Sequence, residues 1–151
     1  MSSLVEKVAD DIKSAMKARD QAALMPLRAL KTALTNAAIE KGGLGTELDE
    51  SEALGCVRKQ IKQRADSAEG FRKGGRDDLA EREEAEARLL EGYLPQALTE
   101  AEVEALVAQA IAETGATSKA QMGAVMKLAA ALAGGRADGR TLSTAVGRRL
   151  G

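Results

Sequence analysis

Apolar residues recur along this chain at three- and four-residue intervals and almost never in strict alternation, a pattern of helices rather than strands. Leu4, Val5, Val8, Ile12, Ala15 and Met16 form the first stripe and predict a helix over about 3–18. Asp20 is placed to cap a second helix, and Pro26 lies too deep in it for the first turn, which predicts a bend or a late start. Its face is Leu24, Leu27, Leu30, Leu34, Ala38 and Ile39, ending before Gly42-Gly43. After a short flexible connection, Asp49 or Ser51 opens a third helix with the face Leu54, Val57, Ile61, Ala65, Ala68 and Phe71, closed by Gly74-Gly75. A fourth helix over about 77–92 has a weak stripe of Leu79, alanines, Leu89, Leu90 and Tyr93. Its middle is mostly charged, so it is expected to be solvated on most sides and held by its ends.

Leu94-Pro95 breaks the chain, and a more compact pattern follows. Thr99 with Glu102 matches a capping box, in which hydroxyl and carboxylate satisfy each other's orphan backbone N–H groups. Val103, Leu106, Val107, Ala110 and Ile111 follow at helical spacing until Gly115. Ser118 with Gln121 repeats the box ahead of Met122, Val125, Met126, Ala129 and Leu132. Gly134-Gly135 closes that helix, the turn Arg136-Ala137-Asp138-Gly139 follows, and Leu142 to Leu150 makes a last short helix. The predicted fold is all-α, with a four-helix N-terminal unit over 1–94 and a three-helix C-terminal unit over 95–151.

Composition narrows the chemistry. A chain of 151 residues with 44% apolar content supports a folded core, although alanine supplies much of it and buries little area per residue. One cysteine forms no internal disulfide. Glu6, Lys7, Asp10 and Asp11 interrupt the first apolar run too early for a secretory signal. No segment reaches the roughly 18 apolar residues that span a bilayer. These features predict a cytoplasmic protein.

Charge is unevenly distributed. The formal net charge is −1, yet residues 116–151 carry Lys119, Lys127, Arg136, Arg140, Arg148 and Arg149 against the single acid Asp138. The chain has no histidine, one cysteine, one tyrosine and one phenylalanine. It is therefore rich in groups that hold a polyanion and poor in groups that transfer protons or attack carbonyls. Arg136 and Arg140 flank a glycine-containing turn, with Arg140 at the start of the last helix, where free N–H groups and the helix dipole favour a phosphate. The alternative is that Asp138 bridges to an arginine and the glycines only permit the turn. Arg58, Lys59, Lys62 and Arg64 form a second basic run, read as either a solvated face balancing the acidic fourth helix or a secondary RNA-backbone contact.

Other candidates carry less. Glu81, Glu83, Glu84 and Glu86 have Arg82 and Arg88 as simple ion-pair partners and no histidine to complete a metal site. Cys56 lies in a helical stripe with no histidine in the chain to serve as its base. Met25, Met122 and Met126 read as core fillers. Phe71 and Tyr93, the only aromatic residues, fall on stripes expected to be buried, so bound RNA would be read by shape and phosphates rather than by base stacking. No catalytic residue, metal or cofactor is expected.

Four blocks of residues resemble one family. They are Lys17-Ala18-Arg19-Asp20 with Leu27-Arg28 and 36–42; 61–67 with Phe71 and 75–80; 83–86 running into Tyr93-Leu94-Pro95; and 122–126 followed by 135–140. In this order they are similar to the GatB/YqeY domain proteins, specifically the free-standing YqeY-like proteins. The last block resembles the GatB tail of the glutamine-dependent tRNA amidotransferase, a helical, non-catalytic element associated with recognising tRNA. The resemblance implies a tRNA-binding accessory module, with Lys119, Lys127, Arg136, Gly139, Arg140, Arg148 and Arg149 as candidate contacts. It leaves two alternatives: an adaptor docking on an amidotransferase or aminoacyl-tRNA synthetase, and a carbon–nitrogen ligase using glutamine as amide donor.

Overall fold

The computed structural model describes residues 3–151, and among these the protein is all-α, without strands. The chain folds as two compact units, Met1–Leu94 and Pro95–Gly151. The first contains α1 (Leu4–Ala18), α2 (Gln21–Gly42), α3 (Glu50–Lys73) and α4 (Asp77–Glu91). The second contains α5 (Glu100–Thr114), α6 (Met122–Ala133) and α7 (Gly139–Leu150). This is the four-helix and three-helix content that the apolar spacing predicts.

Capping sets most helix starts. Ser3 and Glu6 form a reciprocal box at α1, with the Glu6 N–H donating to Ser3 Oγ at 3.1 Å and the Ser3 N–H to Glu6 Oε2 at 3.2 Å. Asp49 and Glu52 do the same at α3, and Thr99 and Glu102 at α5. Each pair satisfies N–H groups that lack intrahelical acceptors. At α2 the Asp20 carboxylate accepts from the Ala23 N–H at 3.1 Å. Asp20 thereby starts α2 before Pro26, and no late start occurs. The bond that Pro26 forfeits would have gone to the carbonyl of Ala22, an exposed residue.

In the first unit Val8, Ile12, Leu24, Leu27, Leu30, Leu34, Val57 and Leu90 make up most of the core. The predicted stripes are wider than what is buried. Val5, Met16, Ile39 and Ala65 are exposed and Phe71 is half-buried; Met25, outside the stripes, is exposed as well. Met25 is thus not a core filler. The fourth helix also departs from its predicted solvation, because it packs along α3 as a helical hairpin. Ala80, Ala87 and Leu90 are buried, and its charged middle reaches α3. Arg72 donates through Nε and Nη2 to Glu84 Oε1 at 2.9 and 2.6 Å, and Arg64 Nε lies 3.7 Å from Glu86 Oε2.

In the second unit Val103, Val107, Ala110, Val125, Ala129, Leu142, Ala145 and Val146 form a small core, with Met122 and Met126 packed against it. Gln121 reaches back to the Ser118 N–H at 3.3 Å, and a single 3-10 turn over Lys119–Gln121 leads into α6. The last helix begins at Gly139, earlier than predicted. The Asp138 carboxylate accepts from the Thr141 N–H at 2.7 Å and caps the three residues ahead of Leu142 into the helix.

Candidate nucleic-acid interface

The basic residues of 116–151 do not share one environment. Arg140, Thr144 and Arg148 are spaced by four on α7 and so lie on one face. With Thr141 they line a cleft of about 290 Å3 whose opposite wall is α5, including Glu100 and Glu104. Arg148 Nη2 donates to Glu104 Oε1 at 3.3 Å, and Arg149 Nε donates to Glu104 Oε2 at 3.1 Å. Two guanidinium groups therefore share one carboxylate. These pairs are exposed enough that each adds little stability, but they hold Arg148 and Arg149 side by side near Arg140.

Arg136 is engaged elsewhere. Its Nε donates to the Gln96 carbonyl at 2.9 Å, its own carbonyl accepts from the Leu98 N–H at 2.9 Å, and its Nη2 lies 3.9 Å from Glu102. It ties the segment entering α5 to the turn before α7, which is a structural task. Glu102 is held below the usual carboxylate range, first by its bond to the Thr99 backbone and then by the Thr99 hydroxyl, with Arg136 adding to the effect. Lys119 packs against the end of α7: a side chain built on Gly151 would meet its Cε at 3.0 Å. A cation there suits the negative end of the helix dipole. Lys127 is exposed on α6. Gly139 is the first residue of α7, and a Cβ added to it would meet open space.

The start of α7 is not open to a phosphate in the way the sequence suggests. Asp138 already occupies the N-cap with its own carboxylate, taking the Thr141 N–H and offsetting the positive end of the dipole. The charge excess of 116–151 is also reduced by α5. Over the whole second unit six basic residues face five acidic ones, because Glu100, Glu102, Glu104 and Glu113 precede the basic stretch. Glu104, Thr141 and Thr144 escape a residue-by-residue reading of the sequence. The spacing 140, 144, 148 is the signal that could have found the cleft.

The second basic run separates as well. Lys59 and Lys62 are exposed. Arg64 is turned inward, its side chain 12% exposed, donating through Nη1 to the Gln60 carbonyl at 3.2 Å and to Gln60 Oε1 at 2.8 Å. Its partner Glu86 is raised above the ordinary carboxylate value, chiefly by burial and then by Glu83, against the opposing pull of Arg64. Arg58 is half-buried and makes an interaction of its own. Of these four, two face solvent and one braces the α3–α4 hairpin.

The remaining candidates are structural in their surroundings. Burial pushes the Cys56 thiol up, with Lys59 opposing, so the unreactive protonated form is favoured. Tyr93 is half-buried, donates its hydroxyl to Asp11, and has Lys7 Nζ 5.5 Å from its ring centre. Burial and that acceptor push its phenol well up.

Comparison with known proteins extends this picture. A family model described as "Yqey-like protein" matches residues 5–150. Three curated fungal relatives carry the name "Altered inheritance of mitochondria protein 41, mitochondrial". The one from Lachancea thermotolerans is 38% identical over 101 residues, covering 66% of this chain and 53% of that protein. The one from Pyrenophora tritici-repentis is 34% identical over 92 residues, covering 61% and 49%. The one from Clavispora lusitaniae is 36% identical over 91 residues, covering 60% and 51%. This chain therefore spans about half the length of the curated relatives it matches. Their names also overturn the cytoplasmic expectation, since they are named as mitochondrial proteins. That expectation rests on the lack of a secretory signal and of a bilayer-spanning run, and neither property bears on residence in an organelle. Among the described residues no helix is long and apolar enough to cross a membrane.

Proposed function

The chain belongs to the YqeY-like family, and from that premise we propose that it is a non-catalytic accessory module that holds a folded tRNA by its phosphate backbone. The observation that carries this reading is the α7 face. Arg140 and Arg148 border one cleft with the hydroxyls of Thr141 and Thr144, and Arg149 is held beside them by Glu104. Guanidinium forks and hydroxyls are phosphate donors, and three cations there outnumber the two glutamates opposite. The two aromatic side chains, Phe71 and Tyr93, belong to the first unit and are half-buried, so base stacking contributes nothing to the second. Backbone and shape are what such a surface reads.

Binding of unfractionated tRNA at low and moderate salt tests the reading. The double variant Arg140→Ala, Arg148→Ala should weaken binding and reduce the slope of log K against log salt by about two. Arg136→Ala, whose side chain is committed to Gln96 and Glu102, should leave that slope unchanged. Binding without salt dependence, or a double variant that binds as the parent does, overturns it.

A second reading is an adaptor that docks on an amidotransferase or aminoacyl-tRNA synthetase. It is favoured by Val5, Ile39 and Leu44, aliphatic side chains left exposed on the first unit. A stoichiometric protein partner that survives nuclease treatment would select it. The carbon–nitrogen ligase reading has least support: the one thiol is held protonated by burial and the chain has no histidine to activate it.

A further inference from the structure

The connection between α2 and α3 displays leucine rather than hiding it. Leu44 is 91% exposed, and Ile39 of α2 and Val5 of α1 are 43% and 42% exposed. All three line one groove of about 460 Å3, whose floor includes Leu34, Ala38 and Leu48. Isolated exposed aliphatic residues need no explanation, whereas several on one concave surface mark a contact site. The charged lining of this groove is Glu6 and Glu47, with no cation among the described residues that border it. The nearby Lys41 is committed, donating to Glu52 Oε1 at 2.6 Å and to the Glu47 carbonyl at 3.1 Å.

We propose that this groove docks an amphipathic helix of a partner protein, with aliphatic residues on its buried face and lysine or arginine along its flanks. The apolar floor calls for anchors at helical spacing. The carboxylates at the rim, with no cation among the described residues bordering the groove, set the sign of the flanks, because like charges brought together there oppose binding. The same rim disfavours a second copy of this chain. A two-fold contact would set Glu6 and Glu47 of one protomer against those of the other. Every residue involved lies in the first unit, so this site stands or falls independently of RNA binding by α7.

The test uses the full chain and a fluorescent synthetic helix of about four turns, with leucines at i, i+3, i+4 and i+7 and lysines elsewhere. A twin peptide carries glutamate in place of every lysine. The lysine peptide should bind saturably and more weakly as salt rises, and its twin at least about tenfold more weakly. Leu44→Asp and Ile39→Asp should each weaken the lysine peptide about tenfold or more, with helical circular dichroism and Tm unchanged because both positions are exposed. Equal affinity of the two peptides, indifference to both variants, or a Leu44-dependent dimer in light scattering would each overturn the proposal.

Discussion

In the first unit five of the ten core residues are leucines; in the second one is leucine and five are alanines. Equal numbers of buried positions therefore remove unequal apolar area from water, and burial energy scales with area. The first unit turns one charge pair of its polar α4 inward, Arg64 against Glu86, and keeps Arg72 against Glu84 at the surface. The second keeps its charge on the rim, where Glu102 and Glu104 meet Arg136, Arg148 and Arg149. One unit buries an ion pair between two helices, whereas the second keeps its pairs at the surface. The unit with the leaner core is the one that carries the candidate interface.

The comparison breaks first at the leucines. Leu142 is the only leucine in the second core and is 1% exposed. Leu142→Ala should cost about 2–5 kcal/mol, and hydrogen exchange should show α5, α6 and α7 losing protection while α1 to α4 keep theirs. Leu30→Ala, at a fully buried position, should cost a similar amount but lower Tm without abolishing the first unit, because four other leucines remain. Equal collapse of both units in either variant would remove the distinction. A smaller effect is expected at the caps. Thr99→Ala should cost about 1 kcal/mol, and the leaner core should make it visible as a lower Tm for the α5–α7 signals alone.

The ion pairs sharpen the contrast through pH. Glu86 is raised above its ordinary value of 4.5, so its contribution is fully present below that value and is lost as pH rises through its folded value. Glu102 is lowered from the same ordinary value, so its contribution is present above it and is lost as pH falls. Glu86→Gln should therefore raise the Tm of the first unit at pH 7 more than at pH 4. Glu102→Gln should lower that of the second unit at pH 7 and leave it nearly unchanged at low pH. Parallel responses would mean that the two carboxylates are not used differently. The smallest change is expected from Glu104→Gln: exposed pairs of this kind contribute about 0–1 kcal/mol, so Tm should barely move.

Local signals are the readable ones. The cap at Asp49, the box at Thr99 and the glycines at 74–75, 115 and 134–135 mark helix ends because they act through bonds a few residues away. Stripe width is less readable, since Val5, Met16 and Ile39 keep helical spacing yet stay exposed. The charge of 116–151 misleads for a related reason. Glu102 and Glu104 are distant in sequence from the arginines they meet, and only folding α5 beside α7 brings the signs together. The start of α7 escapes the apolar pattern because Asp138 serves as a cap, a role that the neighbouring arginines disguise as an ion pair.

Glu104 has one more consequence. A long guanidinium side chain free in water samples many rotamers, and immobilising one at an interface costs about 0.5–1.5 kcal/mol. Arg148 and Arg149 are already tethered at 3.3 and 3.1 Å to a single carboxylate. An anion arriving at that edge of α7 meets two donors whose wandering has been curtailed in advance, and the loss of disorder has been charged to folding instead of to capture.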